Sequence, residues 1–275
     1  MKKIILIITT IAVLAIAGVV IAKGTNKSPA TVMPSGQTVI VPDQAINNSR
    51  ALERIVIIHR KKGFEKSATN CGNGICEKGE NAKKCPADCG SEDIETNVKC
   101  YSTILKGAKL KSSKDLFAHS SLDASTILAS LSEWDNKTSV SLFDKYIVDD
   151  TANRDTETPD GRNELSFGDY PEPGVIAIAT IWGYFSVPPP MREITEFDIM
   201  FDNVDFEWGD AEIDSSLMDL QNIATHEIGH GIGLDDMYDE ACNEVTMYGY
   251  STEGEIKKRT IEQQDIVGMQ LLYGM

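Results

Sequence analysis

Lysine and arginine are absent from residues 193–256, a stretch that carries eighteen aspartates and glutamates. A nucleic-acid-binding face needs cations on its contact surface, so no nucleic-acid role is expected for this region. The imbalance is regional: residues 1–70 hold ten Lys and Arg against three acids and residues 71–275 hold sixteen against thirty-nine, so +7 and −23 sum to the overall −16. Such an acidic surface keeps a chain soluble and also suits calcium. Long apolar runs are scarce as well. The one that stands out, IILIITTIAVLAIAGVVIA at residues 4–22, follows Lys2 and Lys3. It is longer than an ordinary signal-peptide core and just long enough to cross a bilayer. An uncleaved signal anchor is therefore expected over residues 1–22, with a cleaved signal peptide as the alternative, because Ala15 to Gly18 offer small residues to a peptidase. Either way the bulk of the chain is expected outside the cytoplasm, anchored to the membrane or secreted.

Cysteine is limited to six residues, which suits disulfides in an oxidising compartment. Four of them, Cys71, Cys76, Cys85 and Cys89, fall in CGNGICEKGENAKKCPADCG, residues 71–90, where almost nothing is apolar. This stretch cannot bury a core, so crosslinks or a metal must hold it. It lacks the paired CxxC steps of four-thiolate zinc. Two internal disulfides are favoured, with Glu77, Glu80, Asn81 and Asp88 as candidate calcium ligands. The remaining pair, Cys100 and Cys242, is expected to bridge, the rival being a Cys100 thiolate that blocks a metal. Between residues 23 and 49 the chain is polar and broken by Pro and Gly, and reads as a tether within a 23–70 linker or N-terminal segment. RIVIIHRKKG, residues 54–63, is one short candidate strand; with no second ligand at metal spacing beside it, His59 reads as an ordinary strand or surface residue.

From residue 98 to 275 the pattern becomes that of one mixed domain without internal repeats. Residues 121–143 read as an amphipathic helix through Leu122, Ile127, Leu128, Leu131 and Trp134. NELSFGDY, GVIAIATIWGYF (174–185) and ITEFDIMFD (194–202) read as strands. SSLMDLQNIATHEIGHGIG returns to helical spacing and ends in glycines, and TIEQQDIVGMQLLYG opens with Thr260 and Gln263 in capping-box relation. The fold class is α+β.

The chemistry lies in HEIGHGIGLDD, residues 226–236. At about 3.6 residues per turn, His226 and His230 share one helix face and can reach one ion. Glu227 points off the metal axis, toward a water. Gly231 and Gly233 let the chain leave the helix, so that Asp236 can return as a third ligand. Three protein ligands leave a position open, the arrangement of a catalytic and not a structural zinc site.

This motif, with VTMYGY at residues 245–250, resembles the signature of the metzincin metallopeptidases, HExxHxxGxxH followed by a methionine turn. Within them residues 100–275 look most like the matrixins. LSEWDNKTSVSLF is similar to their first helix, GVIAIATIW to their substrate-binding edge strand, IATHEIGHGIGLDD to their active-site helix and KKRTIEQQDIVGMQLLYG to their last one. The resemblance implies a twisted, mostly parallel sheet with two long helices, a zinc cleft and a small C-terminal subdomain. It also implies Met247 as the floor of the metal site, Val175, Ile176, Ala177, Ile178 and Ala179 as the strand that binds substrate, and Gly249 and Tyr250 in the pocket wall. The activity implied is endopeptidic hydrolysis of a protein or peptide substrate by a monomer, with a zinc-activated water and Glu227 as base. Asp236 stands where matrixins have His and is similar to the snapalysin-like branch. No histidine lies between His119 and His226, so the usual structural zinc is not expected, and no PRCGxPD-type inhibitory segment is present. The competing reading is a catalytically inactive metzincin-fold surface binding module, against which Glu227 argues.

Overall fold

The computed structural model describes residues 51–64 and 98–275 in full, and residues 30–32 and 38–40 by their backbone. The expected targeting segment 1–22, the stretch 71–90 with Cys71, Cys76, Cys85 and Cys89, and its candidate calcium ligands lie outside the described residues. Among the described residues no helix is long and apolar enough to cross a membrane.

One ten-stranded mixed sheet organises the described residues. Strands β1 (Ala30–Val32), β2 (Thr38–Ile40) and β3 (Glu53–Lys61) precede three short or edge strands, β4 (Ser102–Thr103), β5 (Lys109–Leu110) and β6 (Lys114–Ala118). Helix α1 (Ala124–Asp135) leads to β7 (Phe143–Val148), β8 (Asn163–Gly168), β9 (Val175–Tyr184) and β10 (Glu193–Asp202). The two-residue strands β11 (Trp208–Gly209) and β12 (Met218–Asp219) pair with each other ahead of helix α2 (Leu220–Gly231). Then come β13 (Leu234–Asp235), β14 (Tyr250–Ser251) and helix α3 (Gln263–Tyr273). The sheet order is β1-β2-β3-β9-β10-β8-β6-β7. β10, β8, β6 and β7 run parallel to one another, whereas β9 pairs antiparallel with β10, and β3 pairs antiparallel with β9. Tertiary pairing explains why β9 is apolar almost throughout: both of its edges are hydrogen-bonded and both faces are covered. On one face Ala177, Ala179 and Ile181 join the main core with Ile55, Ile57, Phe197 and the α2 residues Ile223 and Ile228. On the other, Val175 and Ile178 pack with Met200, Val56 and Ile58.

Helices α1 and α2 pack together on the main-core side, where the Trp134 indole donates to the Thr225 carbonyl at 2.8 Å. Two readings of the sequence need correction. The helix expected over 121–143 spans only Ala124–Asp135, because the Asp135 carboxylate accepts from the Leu142 amide at 2.6 Å and folds the intervening residues back toward β7. The capping box of α3 is Glu262 with Asp265, two residues beyond the expected pair, since Asp265 already serves buried backbone amides. Within residues 23–70, read as a linker or N-terminal segment, β1, β2 and β3 extend the main sheet, with β3 alongside β9. β9 is therefore an interior strand here, not the exposed edge that the resemblance implies.

Candidate metal centre

Helix α2 is started by Asp219, whose carboxylate accepts from the Asn222 amide at 2.8 Å, and it carries His226 and His230 one turn apart on a fully buried face. His226 Nδ1 donates to the Thr246 carbonyl at 2.7 Å and His230 Nδ1 to the Leu234 carbonyl at 3.0 Å. These bonds fix the tautomers, because each ring's proton is committed to a carbonyl and each Nε2 keeps its lone pair. The two Nε2 atoms face each other at 3.1 Å, and Asp236 Oδ1 lies 3.2 and 3.3 Å from them. Two lone pairs and a carboxylate oxygen aimed at one point repel unless a positive charge sits between them. Bonds of about 2.0–2.1 Å to a tetrahedral zinc place ligand atoms roughly 3.3 Å apart, so the spacing fits that ion. Among the described residues Asp236 Oδ1 is buried without a hydrogen-bond donor, while Oδ2 accepts from the Tyr238 hydroxyl at 2.8 Å.

The titration of these groups tells the same story. Burial lowers the pKa of His226 to about 4. Burial also works against a cationic His230, but the Asp236 carboxylate overrides it and lifts that pKa to about 9. Asp236 is held well below the usual carboxylate range in spite of its own burial, by His230 first and His226 after it. The pocket calls for one positive charge, whether a proton or a metal.

Gly233 makes the return of Asp236 possible. Its φ of +108° is left-handed, and a Cβ there would lie 2.2 Å from the Ala108 carbonyl oxygen. Beneath the histidines Met247 is buried, and a side chain at Gly229 would meet its sulfur at 2.4 Å. The turn that carries Met247 is pinned by Asp265, which accepts from the Thr246 amide at 2.8 Å and the Met247 amide at 3.2 Å. Fully buried Lys258 donates to the Tyr248 and Tyr250 carbonyls at 2.5 and 2.9 Å, so it fastens the backbone on either side of Gly249. A disulfide joins Cys100 to Cys242, fastening the start of the domain to the loop ahead of this turn. Lys258 and Asp265 carry no spacing signal in the sequence, since both act on distant backbone.

Glu227 is fully buried next to this group, and burial first, with the Asp236 charge adding to it, raises its pKa to about 8. Its Oε1 is 2.8 Å from His59 Nδ1, its Oε2 is without a partner among the described residues, and the His59 ring centroid is 4.1 Å from that of His226. His59, read from sequence as an ordinary strand or surface residue, thus lies in the centre. Its partner Glu227 is 168 positions away in the chain, beyond the reach of local spacing. One signal was there: His59 falls in phase with the buried Ile55 and Ile57 of β3, a polar residue where alternation calls for an apolar one. Val175, Ile176, Ala177, Ile178 and Ala179 have no solvent exposure, and Tyr250 pairs with Arg60. Apart from this centre, Asp155, Glu196 and Asp198 form an acidic trio between the 149–162 loop and β10.

The family model for the matrixins matches residues 185–274, which include α2, Asp236 and the Met247 turn. The match supports a matrixin-like metallopeptidase domain, for which zinc is the implied metal. A comparison with curated proteins finds no match.

Proposed function

We propose that this chain is an extracytoplasmic zinc-dependent endopeptidase, tethered by residues 1–22 or released after their removal. The observation that carries the reading is the His226, His230 and Asp236 trio, with ligating atoms 3.1–3.3 Å apart and the carboxylate of Glu227 beside it. Zinc, when bound by these three side chains, supplies Lewis acidity toward a carbonyl and toward water. Glu227 then takes a proton from the water on one carboxylate oxygen and delivers it to the leaving amine nitrogen. Its buried position suits both halves of that task, because a pKa raised toward neutrality lets one carboxyl act as base and then as acid. Thr246 and Leu234, through their carbonyls, keep both imidazoles oriented, and Met247 and Asp265 hold the floor. An extended peptide adds to β9 between Val175 and Ala179, against the Gly249 and Tyr250 wall, once that space is vacated. An anionic Asp236 in place of a neutral imidazole makes the metal a somewhat weaker Lewis acid, as in the snapalysin-like arrangement. A bound calcium in addition to zinc accords with the acidic surface.

Zinc content and cleavage of a mixed peptide library, followed over long incubations, test this reading. Glu227→Ala should keep zinc and lose roughly 10² to 10⁴ in rate. Asp236→Ala should lose both, and Asp235→Ala should lose neither. Zinc loss from Asp235→Ala with retention in Asp236→Ala would reverse the ligand assignment.

A further inference from the structure

His226, Glu227 and His230 have no solvent exposure and Asp236 is 6% exposed, so a peptide has no route to them in this arrangement. What seals the centre is β3. Residues Glu53–Arg60 pair antiparallel along β9 from Gly183 back to Val175, and Arg60 and Lys61 pair parallel with Tyr250 and Ser251 of β14. Those are the two backbone surfaces that an added peptide strand requires, and both are in use.

The side chains of β3 divide by function. Ile55 and Ile57 enter the main core, and the next residue in phase, His59, enters the metal centre opposite Ala177. His59 Nδ1 lies 2.8 Å from Glu227 Oε1 and shares a hydrogen bond with it, occupying the oxygen that would receive a water's proton. Among the described residues His59 Nε2 is left buried without a hydrogen-bond partner. An orphaned ring nitrogen is a cost that a strand serving packing alone would avoid by carrying an apolar side chain. Past His59 the strand turns basic where the rim is acidic. Arg60 meets Glu172 at 2.8 Å, Lys61 meets Glu253 at 2.7 Å and Lys62 meets Glu240 at 3.4 Å. Two of these partners, Glu240 and Glu253, belong to residues 193–256, from which lysine and arginine are absent.

We infer that β3 is a built-in inhibitor of the chain, filling the substrate groove as an added strand while His59 latches Glu227. The inference rests on the peptidase reading of the same site and adds its regulation. The catalytic groups are assembled behind β3, and activity requires its His59 end to leave.

The test uses the full zinc-loaded chain and two readouts, calorimetric binding of acetohydroxamate, a small metal chelator, and cleavage of a mixed fluorogenic peptide library. If the open form is a tenth or less of the population, freeing it improves apparent affinity by about tenfold or more. His59→Ala is expected to keep its zinc, bind acetohydroxamate about tenfold tighter or better, and cleave faster by a similar factor. Arg60→Glu with Lys61→Glu sets like charges against Glu172 and Glu253, leaves the centre intact, and should move both readouts the same way by a smaller factor. Should both variants hold zinc yet bind and cleave like the unmodified chain, β3 is a permanent strand and the inference is overturned. Zinc missing from every protein would sink the peptidase reading and this inference with it. Tighter acetohydroxamate binding with no cleavage would leave the latch standing and remove only the peptidase.

Discussion

Asp265→Ala puts a number on how the Met247 turn is held. The Asp265 side chain is fully buried and accepts from three backbone amides, those of Thr246 at 2.8 Å, Met247 at 3.2 Å and Glu262 at 3.1 Å. Glu262 is at a helix start, where water can replace the lost carboxylate. The Thr246 and Met247 bonds are buried, so their donors stay orphaned at about 1–3 kcal/mol each. The expected loss is about 2–6 kcal/mol, a large part of the roughly 5–15 kcal/mol that holds a domain together. For a chain of this size about 1 kcal/mol moves Tm by roughly 2–4 °C, so the variant should melt about 5–20 °C lower. Because the Thr246 carbonyl orients His226 at 2.7 Å, zinc should also be held more weakly. Asp265→Asn, which keeps one acceptor oxygen, should fall in between. Differential scanning calorimetry with zinc titration reads both effects. An Asp265→Ala protein that melts within a degree of the unmodified chain and keeps its zinc would refute the argument.

Two further outcomes follow from charge. Burial raises the pKa of Glu196 to about 7 and that of Asp198 to about 9, both above their unfolded values of 4.5 and 3.8. Stability from these groups is complete below the unfolded values and is lost as pH rises through the folded ones, so without added divalent cations Tm should fall between pH 5 and pH 9. Glu196→Gln should flatten the part of that slope below pH 7; an unchanged slope would contradict the assignment. If the chain is a peptidase that opens as proposed, the acidic rim that meets Arg60, Lys61 and Lys62 should make it prefer peptides with Lys or Arg near the cut at low salt. Library profiling in which salt leaves a basic preference unchanged, or in which none exists, would remove that idea.

What could be read before the fold was seen followed from locality. His226, Glu227, His230, Gly233 and Asp236 sit within eleven residues, so helical spacing and one left-handed glycine state their mutual geometry in the sequence itself. The apolar runs of β9 and β10 and the periodicity of α1 and α2 were legible for the same reason. His59 was not, because its partner Glu227 is 168 positions away and only the pairing of β3 with β9 unites them. Nor could apolar content show that both edges of β9 are paired, since a strand paired on one side and a strand paired on both can carry the same residues. The shift of the α3 capping box has a similar origin: Asp265 is recruited by the amides of Thr246 and Met247, a tertiary demand that outranks the local pairing of Thr260 with Gln263.

The central claim is one catalytic zinc held by His226, His230 and Asp236. A crystal of the zinc-loaded chain with diffraction recorded on both sides of the zinc absorption edge addresses it most directly. The account predicts a single strong anomalous peak inside the triangle of His226 Nε2, His230 Nε2 and Asp236 Oδ1, about 2.0–2.1 Å from each. No peak within that triangle, or the strongest peak among Asp155, Glu196 and Asp198, would contradict it.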